Sequence, residues 1–436
     1  MHLHKIISHF SGFGVNKIQE ITRLIYEISK RDKISPEKIL ETLDSNDFES
    51  AKNSLLKIRF PYASSHNENI RPYLPKIKIK PGNKFNPGNS LFRPEMIFTE
   101  RSVVSSGLKD DFEKHFPQAK SIEITSLKDF MQGNKTQDTS SYNKRRDNVF
   151  ITNERYDFFK KCPCTKSAVG CNYHIFNLGF GCIFDCSYCY LQEYNNAPGL
   201  IFPANINKFF DKFKHYKKPK MRIGTGEFSD SLMLDHITGY SLSIIDFFSN
   251  YKDAFFEFKT KSANIGNILK AKHSGNIVIS WSLNPQRIID DNEFFTASLK
   301  KRLESAEKCS CAGYRLGFHF DHVIYFKGWE KEYSSVIDLL FSKIRPRDIA
   351  WISIGTLRFK PELKQTIENR FPENKILDEE LLPGYDNKLR YPYGLRYNIY
   401  KFMLDAFKKH SKKLPLYLCM EESSMWKVLG LDPYRP

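Results

Sequence analysis

Nine cysteines are present in the chain, and three of them have the spacing of iron–sulfur cluster ligands. Cys182, Cys186 and Cys189 form a C-x-x-x-C-x-x-C segment. Three thiolates on one short loop can wrap a single cubane, which leaves the fourth iron without a protein ligand. A structural zinc site usually takes four ligands in C-x-x-C pairs, and this triplet does not offer them. The spacing therefore predicts a 4Fe–4S cluster with one open iron.

The residues after the next predicted strand suggest what the open iron binds. An open iron can chelate the amino and carboxylate groups of S-adenosylmethionine (SAM), and electron transfer would then cleave SAM to a 5′-deoxyadenosyl radical. Gly224-Thr225-Gly226-Glu227 resembles the glycine–glutamate motif that holds the SAM amino group in radical SAM enzymes. Gly226 permits a close backbone approach, and the carboxylate of Glu227 can pair with an ammonium group.

Regular β-branched and aromatic runs, separated by helical stretches, must position these residues. Strands are predicted at about 174–180, 221–225, 255–260, 277–283, 314–325 and 349–357. One intervening helix would place Phe295, Leu299, Leu303 and Ala306 on one face. Strands that alternate with helices imply parallel βα units, and six of them predict an α/β fold built on a partial (β/α)6 barrel. Chemistry in such barrels lies on the loops after the carboxyl ends of the strands.

Composition changes along the chain predict five regions. They are a helical N-terminal domain (1–60), a basic linker (61–93), a small α/β unit with a mobile loop at 132–148 (94–150), the barrel (151–410) and a C-terminal extension (411–436). In the first region Ile18, Ile21, Ile25 and Ile28 share one helical face, and Ser35-Pro36 is typical of a helix start.

The overall charge indicates a polyanionic partner. Lys and Arg number 67 against 50 Asp and Glu, a formal net charge of +17, and nucleic acid is the usual partner of so basic a protein. A lysine-rich proteome would also produce basic enzymes. No apolar run of spanning length and no secretory signal are evident, so we expect a cytoplasmic protein that does not bind membranes.

Beyond these motifs, the chain resembles the spore photoproduct lyase family, radical SAM enzymes that reverse a thymine dimer in DNA. The resemblance covers about residues 93–400 and implies a barrel of the radical SAM type. The segments that carry it are Cys186-Ser187-Tyr188-Cys189-Tyr190-Leu191-Gln192, Ser229-Asp230 with Asp235-His236, Thr260-Lys261, Trp281-Ser282-Leu283-Asn284, Ala312-Gly313-Tyr314 with Leu316-Gly317-Phe318, Gly328-Trp329-Glu330, and Arg396-Tyr397.

By this resemblance, side chains at the strand ends would hold SAM. Ser229, Lys261 and Ser282 would contact it from strands two, three and four, and Asp321 would do so through its backbone. Tyr190 would lie near the cofactor, and Tyr188 would belong to the radical relay. A Ser or Lys at any one of these positions can equally be an ordinary loop residue.

One position departs from the family pattern. The family has a cysteine two residues before the serine that matches Ser229, and this cysteine returns a hydrogen atom to the product radical. Here the position is Glu227. A carboxylate O–H bond is too strong to donate a hydrogen atom to an allylic thymine radical, so Glu227 is a candidate catalytic residue only in another role. Either another residue quenches the radical, or the reaction differs.

Three functions follow from these features. The first is lyase-type radical SAM chemistry on DNA, with UV-damaged DNA as substrate and a flavodoxin or ferredoxin as reductant. The second keeps the radical chemistry but acts on RNA, a peptide or a small metabolite, because of Glu227. The third is a non-catalytic nucleic-acid-binding protein that keeps a structural cluster. Substrate-dependent 5′-deoxyadenosine formation distinguishes them.

Three further groups of residues have open interpretations. Cys162, Cys164, Cys171, Cys309 and Cys311 are either free thiols or ligands of a second metal. His319, in the sequence His319-Phe320-Asp321-His322, is expected to line the substrate pocket, and strand alternation would put His322 on the opposite face. Finally, one stretch interleaves cations with aromatics: Arg390, Tyr391, Tyr393, Arg396, Tyr397 and Tyr400. Such a pattern suits phosphates and stacked bases, or else a half-buried helix end, and the family resemblance favours DNA.

Overall fold

A computed structural model describes the chain at residues 6, 8–43, 47–88, 91–133, 142–155, 159–165, 167–194, 198–216 and 220–432. The strands are β1 Met96–Glu100, β2 Lys120–Ile124, β3 Asn148–Thr152, β4 Phe159–Lys161, β5 Tyr173–Phe176, β6 Asp185–Cys186, β7 Leu200–Pro203, β8 Met221–Gly224, β9 Ala254–Thr260, β10 Ile277–Ser282, β11 Glu293–Phe294, β12 Arg315–Val323, β13 Ile349–Thr356, β14 Arg358–Phe359, β15 Leu382–Pro383, β16 Leu389–Arg390 and β17 Leu416–Leu418.

Helices separate most of these strands from β7 onward. They are α1 Val15–Asp32, α2 Pro36–Leu40, α3 Phe48–Arg59, α4 Pro61–Ser65, α5 Gly107–His115, α6 Leu127–Gly133, α7 Leu191–Tyr194, α8 Asn207–Tyr216, α9 Asp235–Thr238, α10 Tyr240–Ser249, α11 Gly266–Lys270, α12 Gln286–Asn292, α13 Leu299–Cys311, α14 Trp329–Lys343, α15 Pro361–Arg370, α16 Tyr393–His410 and α17 Ser423–Val428.

The central sheet has eight strands in the order β17-β13-β12-β10-β9-β8-β5-β4. All neighbouring pairs are parallel except β4 with β5, which is antiparallel. The six strands β5, β8, β9, β10, β12 and β13 coincide with the six predicted runs. Apolar side chains from both faces of β10 are buried, as expected of a strand covered by helices. The predicted partial (β/α)6 barrel is confirmed.

The small α/β unit forms a separate parallel sheet in the order β2-β1-β3-β7. Its first three elements, β1, α5 and β2, lie within the region 94–150, for which the sequence predicts a small α/β unit. The fourth strand, β7, comes from beyond the cysteine loop, so this sheet takes a segment from the predicted barrel region. Likewise, β17 from the predicted C-terminal extension pairs with β13 at the edge of the barrel. Short strands do not reveal their partners in sequence, because pairing is decided by tertiary packing.

The N-terminal helices enclose a core of their own. Ile21, Ile25 and Ile28 of α1 are fully buried, as the helical spacing predicts, and Ile18 is partly buried. The hydroxyl of Ser35 accepts a hydrogen bond from the Lys38 N–H at 3.5 Å, which is the N-cap predicted before α2. The domain is fastened to α15 of the barrel by buried ion pairs around Glu27.

The predicted basic linker is an extended arm that follows α4. Its backbone is bonded to α15: the carbonyl of Lys76 accepts from Gln365 at 3.1 Å, and the carbonyl of Lys78 accepts from Asn369 at 3.0 Å. The side chains of Lys76, Lys78 and Lys80 are exposed. The arm is therefore fixed along its backbone while its ammonium groups face solvent.

The helix around Leu299 begins later than the sequence predicts. Phe295 does not belong to the helix predicted around Leu299; its φ is 68°, and α13 starts after Ser298, whose hydroxyl accepts from the Lys301 N–H. Most of the loop predicted at 132–148 lies outside the described residues, which resume at 142. No helix in the described part of the chain is long and apolar enough to cross a membrane.

Candidate active site

The cysteine loop follows β5 and lies over the carboxyl end of the barrel. Gly181 introduces it with a φ of 87°, and a Cβ there would lie 2.8 Å from Leu200, so glycine is required. Cys186 is buried, whereas Cys182 and Cys189 are partly exposed. The loop is held by tertiary contacts, because the short strand β6 pairs antiparallel with β11.

The donor set of this loop fits a cubane. The backbone N–H groups of Phe184 and Leu191 favour the thiolate forms of Cys182 and Cys189 and so lower the pKa of each thiol, against the effect of burial. Burial, followed by Asp230 and Cys189, raises the pKa of Cys182 to about 12, so the thiols lie within electrostatic reach of one another. Within the described ranges, no three His, Cys, Asp or Glu side chains converge on one metal ion. Cubane ligands need not converge in this way, because each thiolate binds a different iron.

A cavity beside the loop contains the predicted glycine–glutamate motif. Gly226 has a φ of 104°, which glycine adopts without strain. The cavity is lined by Gly179, Gly226, Glu227, Ser229, Asp230 and Met233, among others. Met233 also connects it to the cysteine loop, because its sulfur accepts from the Ile183 N–H at 3.4 Å.

Glu227 has partners on both its backbone and its side chain. The Tyr190 hydroxyl donates a hydrogen bond to the carbonyl oxygen of Glu227. The Oε2 atom of Glu227 lies 3.0 Å from the Nζ of Lys160, which is on β4. The carboxylate is therefore ion-paired with a partly exposed lysine at the edge of the barrel.

Lys261 and Tyr188 meet over a buried carboxylate at the ends of β9 and β10. The Nζ of Lys261 lies 3.4 Å from the Tyr188 hydroxyl oxygen and 3.7 Å from Glu293 Oε1. The Tyr188 hydroxyl also donates to Glu293. Arg302 completes the group: it donates to Glu293 at 2.6 Å and to the carbonyl oxygen of Ser282 at 2.8 Å. Burial alone would raise the pKa of Glu293, but Lys261 and Arg302 lower it to about 2.

Asp321 lies at the end of β12 with its carboxylate already paired. Arg358 contacts it twice, with Nη1 to Oδ1 at 2.7 Å and Nη2 to Oδ2 at 3.3 Å. The ring of His322 lies edge-on to the Tyr188 ring, with centroids 5.6 Å apart. A register irregularity between Asp321 and Val323 interrupts the strand alternation on which the predicted orientation of His322 depended.

His319 lies deeper in the barrel than the sequence suggested. Its Nδ1 is 2.6 Å from the Ser353 hydroxyl, and its Nε2 is 2.8 Å from Glu257 Oε1. Glu257 also accepts from the indole N–H of Trp351 at 2.8 Å. His319 is buried and engaged on both ring nitrogens, so it is a member of a polar network inside the barrel rather than an open pocket wall.

Comparisons with known proteins agree with this geometry. The family described as spore photoproduct lyase matches residues 92–423. Spore photoproduct lyase of Bacillus subtilis (strain 168) is 31% identical over 240 residues, which are 53% of this chain and 68% of that protein. Spore photoproduct lyase of Geobacillus sp. (strain Y412MC61) is 27% identical over 324 residues, covering 72% and 90%.

The match to the family extends over most of the chain. The chain belongs to the spore photoproduct lyase family. It is accordingly a radical SAM enzyme of the lyase type, and its cofactors are a 4Fe–4S cluster and SAM.

Solved structures show the same fold. A cysteine-to-alanine mutant of spore photoproduct lyase has a TM-score of 0.65 at 24% identity, covering 75% of this chain and 99% of that one. Spore photoproduct lyase complexed with dinucleoside spore photoproduct has a TM-score of 0.63 at 23% identity, with the same coverage. The shared part is the small α/β unit with the barrel, since the family match begins at residue 92.

The cysteines outside the cluster loop lie on α13, in the segment after β4 and after β17. Cys309 is buried and Cys311 exposed on α13, which packs against β10 and β12. Cys162 and Cys164 follow β4, and their sulfurs are 3.7 Å apart. Cys419, which the sequence did not connect to them, follows β17 on the opposite edge of the barrel. A second metal held jointly by α13 and the segment after β4 has no support in the described residues.

Most of the basic and aromatic residues at 390–400 are buried rather than presented on a surface. Arg390, Arg396 and Tyr400 are buried. Arg390 pairs with Asp386 at 2.6 Å, and both Arg396 and Tyr400 bond to Glu421, at 3.2 and 2.9 Å. The helix-end interpretation is therefore the correct one. The interleaved pattern failed because buried carboxylates, Asp386 nearby in sequence and Glu421 further away, neutralise the cations.

Sequence reasoning also missed residues of the site. Glu293, Arg302 and Arg358 belong to the active-site group, yet none lies in a short motif. Glu293 lies within Asp290-Asp291-Asn292-Glu293, which resembles a solvated acidic run. Only its pairing through β11 with Cys186 of β6 reveals its place.

Proposed function

We propose that this protein repairs spore photoproduct or a closely related pyrimidine lesion in DNA by radical SAM chemistry. The observation that carries the proposal is the convergence of the cysteine loop with the ends of β8, β9, β10 and β12 on one opening of the barrel. Radical chemistry and substrate would then share a single entrance, as expected for a barrel with its chemistry at the carboxyl ends of the strands.

In this proposal Cys182, Cys186 and Cys189 hold the cluster. The bound cluster and SAM supply a 5′-deoxyadenosyl radical for abstraction of one hydrogen atom from the lesion. The residues proposed to hold SAM are Gly226, Glu227, Ser229, Lys261, Ser282 and Asp321.

The surroundings of these residues support their proposed roles. Burial opposes the charge of Lys261, but Cys186 and Glu293 raise its pKa above the usual range, so it stays cationic and can hold a carboxylate. Asp321 can serve through its backbone, since Arg358 occupies its carboxylate. The backbone of Ser282 is fixed by Arg302, which keeps the end of β10 in place.

Two tyrosines are proposed to handle the radical. Tyr188 is buried, and its hydroxyl touches Glu293 and the side chain of Asn284, so its position is rigid. Tyr190 is 40% exposed and lies at the opening, fastened to the Glu227 carbonyl. Tyr188 would form the inner part of the relay, and Tyr190 would face the lesion.

The surface supports a nucleic-acid substrate. Tyr194 and Tyr190 are exposed at the opening, with ring centroids 5.7 Å apart, and can stack on bases. Lys360 lies over the Tyr194 ring at 4.3 Å, which adds a cation beside the aromatic pair. The net charge of +17 favours a phosphate backbone. A flavodoxin or ferredoxin as reductant and a cytoplasmic location remain predictions.

The test is anaerobic formation of 5′-deoxyadenosine by the reconstituted, reduced enzyme with SAM and a dinucleoside spore photoproduct. We expect the lesion to stimulate it and thymine to be restored. Cys186→Ala should abolish both, whereas Cys311→Ser, on the outer helix α13, should change neither.

A second candidate rests on Glu227, which occupies the place of the family's hydrogen donor. A different substrate, such as RNA, a peptide or a small metabolite, would not need that donor. Stimulation of 5′-deoxyadenosine formation by such a fraction, with none from the lesion, would favour this candidate and overturn the first.

A further inference from the structure

A cluster of thiols lies between the two edge strands of the barrel, β4 and β17, where the segments that follow these strands contact each other. The segment after β4 packs against the segment after β17: the N–H of Val169 donates to the Glu421 carbonyl at 2.9 Å, and Ala168 forms a bridge with Glu422. This contact brings Cys162, Cys164 and Cys171 near Cys419, although more than 240 residues separate them in the chain. The cluster is thus formed by contact between the segments that follow the two edge strands.

Cys162 and Cys164 form its closest pair. Their sulfurs are 3.7 Å apart, within the distance of an S–H···S hydrogen bond. A hydrogen bond between the two sulfurs stabilises the S–H form of one and the thiolate form of the other, so the contact raises the pKa of Cys162 and lowers that of Cys164. The pair therefore retains an S–H group.

The segment that carries the pair also contacts the proposed SAM site. Cys162 is within electrostatic reach of Tyr190, and Cys164 is within reach of Asp321 and Arg358. Lys160, two residues before Cys162, pairs with Glu227 at 3.0 Å. The segment after β4 thus places a dithiol beside the residue that stands where the family has its cysteine.

We propose that Cys162 is the hydrogen-atom donor that Glu227 cannot be, with Cys164 as its partner thiol. This inference rests on the proposed function. The S–H bond of Cys162 breaks, a C–H bond forms at the product radical, and the unpaired electron remains on the Cys162 sulfur. A small-molecule thiol then gives its own hydrogen atom to Cys162 and leaves as a thiyl radical, two of which combine to a disulfide over two turnovers. Both residues are partly exposed, which gives such a thiol a route to the pair.

The decisive measurement is the amount of thymine restored per 5′-deoxyadenosine formed, with dinucleoside spore photoproduct as substrate. Cys162→Ser still allows SAM cleavage, because hydrogen return comes afterwards, but the ratio should fall about tenfold or more. Cys164→Ser should lower it less, and Cys311→Ser should leave it as in the unaltered enzyme. Unchanged ratios in both Cys162→Ser and Cys164→Ser would overturn the proposal.

Two further measurements use the unaltered enzyme, so they do not depend on whether a variant folds. In D2O the unaltered enzyme should place one deuterium in each restored thymine pair, because thiol protons exchange with solvent; product without deuterium would overturn the proposal. In the unreduced holoenzyme, the bound lesion should slow alkylation of Cys162 but not of Cys311, and equal rates with and without lesion would contradict it. If the unaltered enzyme forms no lesion-dependent 5′-deoxyadenosine, the proposed function itself fails, and this inference fails with it.

Discussion

Two buried networks of charged side chains lie in different regions of the molecule, and their contacts differ in length. At the joint between the N-terminal helices and the barrel, Glu27 accepts from Arg23 at 2.6 Å, from Arg59 at 2.8 Å and from Lys364 at 2.6 Å. Under the cysteine loop, Lys261 lies 3.7 Å from its carboxylate partner, Glu293. In the first network every cation lies within 2.8 Å of the carboxylate, whereas in the second the ammonium of Lys261 is held more loosely.

This difference separates a structural joint from a binding site. Around Glu27 each cation is in direct contact with the carboxylate, and Arg59 also bonds to the carbonyls of Leu377 and Glu379 at 3.0 Å. Such a network fixes the position of one domain on another but has little capacity for a ligand. The loosely held ammonium of Lys261, 17% exposed, can instead take up an anionic group at small structural cost.

The largest expected effect comes from breaking the joint. Glu27→Gln leaves Arg23, Arg59 and Lys364 buried without their shared anion, so the free energy of unfolding should fall by about 3–5 kcal/mol. Urea unfolding of the whole protein measures this fall in the free energy of unfolding. The control is Glu20→Gln, whose partner Lys52 lies at 2.7 Å in a half-exposed pair, and here the loss should stay below about 1 kcal/mol. Equal losses in both variants would remove the distinction between the joint and an ordinary surface pair.

Removing the loosely held cation should affect chemistry more than stability. In Lys261→Met, the rate of SAM cleavage should fall roughly 100-fold, because a charged contact to the cofactor is lost. The change in unfolding free energy should be smaller than that of Glu27→Gln. If Lys261→Met instead unfolded readily and cleaved SAM normally, Lys261 would be a structural residue like Arg23.

The pH dependence of stability should differ between the two regions. Burial lowers the pKa of His322 to about 3, so between pH 3 and an unfolded value of about 6.5 the unfolded chain binds the additional proton. Asp321, Arg358, Lys261 and the Thr356 carbonyl face this ring. Above about pH 6.5, neutral His322 makes its full contribution to the free energy of unfolding. As the pH falls below this value, the contribution declines by up to about 1.4 kcal/mol per pH unit.

Thermal unfolding across pH 4–7 tests this, and His322→Phe should flatten the slope. Glu27 behaves differently, because its cationic neighbours hold its pKa well below the usual range despite burial. Its contribution is complete above an unfolded pKa of about 4.3 and is lost only below that value. An unchanged slope in His322→Phe would mean that another group titrates in this window.

The smallest expected effect concerns the exposed arm that lies along α15. Lys78→Ala should weaken DNA binding by less than about 1 kcal/mol and reduce the salt dependence by about one ion equivalent, because one phosphate contact is lost. Lys57→Ala, exposed on α3 of the N-terminal domain, is the control. Salt titrations of duplex binding measure both, and an identical slope in all three proteins would exclude the arm from the DNA interface.

The sequence alone determined the features that are encoded locally. The cysteine spacing is contained in eight residues, and the six barrel strands are continuous runs of residues that suit buried strands. Their alternation with helices leaves few topologies other than a parallel barrel. Ser35 and the isoleucine face of α1 were likewise predictable, because capping and helical periodicity act over a few residues.

Tertiary structure decided everything that depends on contacts between distant segments. It placed β7 in the small sheet, brought Glu293 and Arg302 under the cysteine loop, and buried Arg396 against Glu421. It also brought Cys419 near the thiols after β4, through contacts between the segments that follow the two edge strands. Residue type and spacing fix what a local segment can form, but the partner of a charge, a thiol or a short strand is chosen by packing across the whole chain.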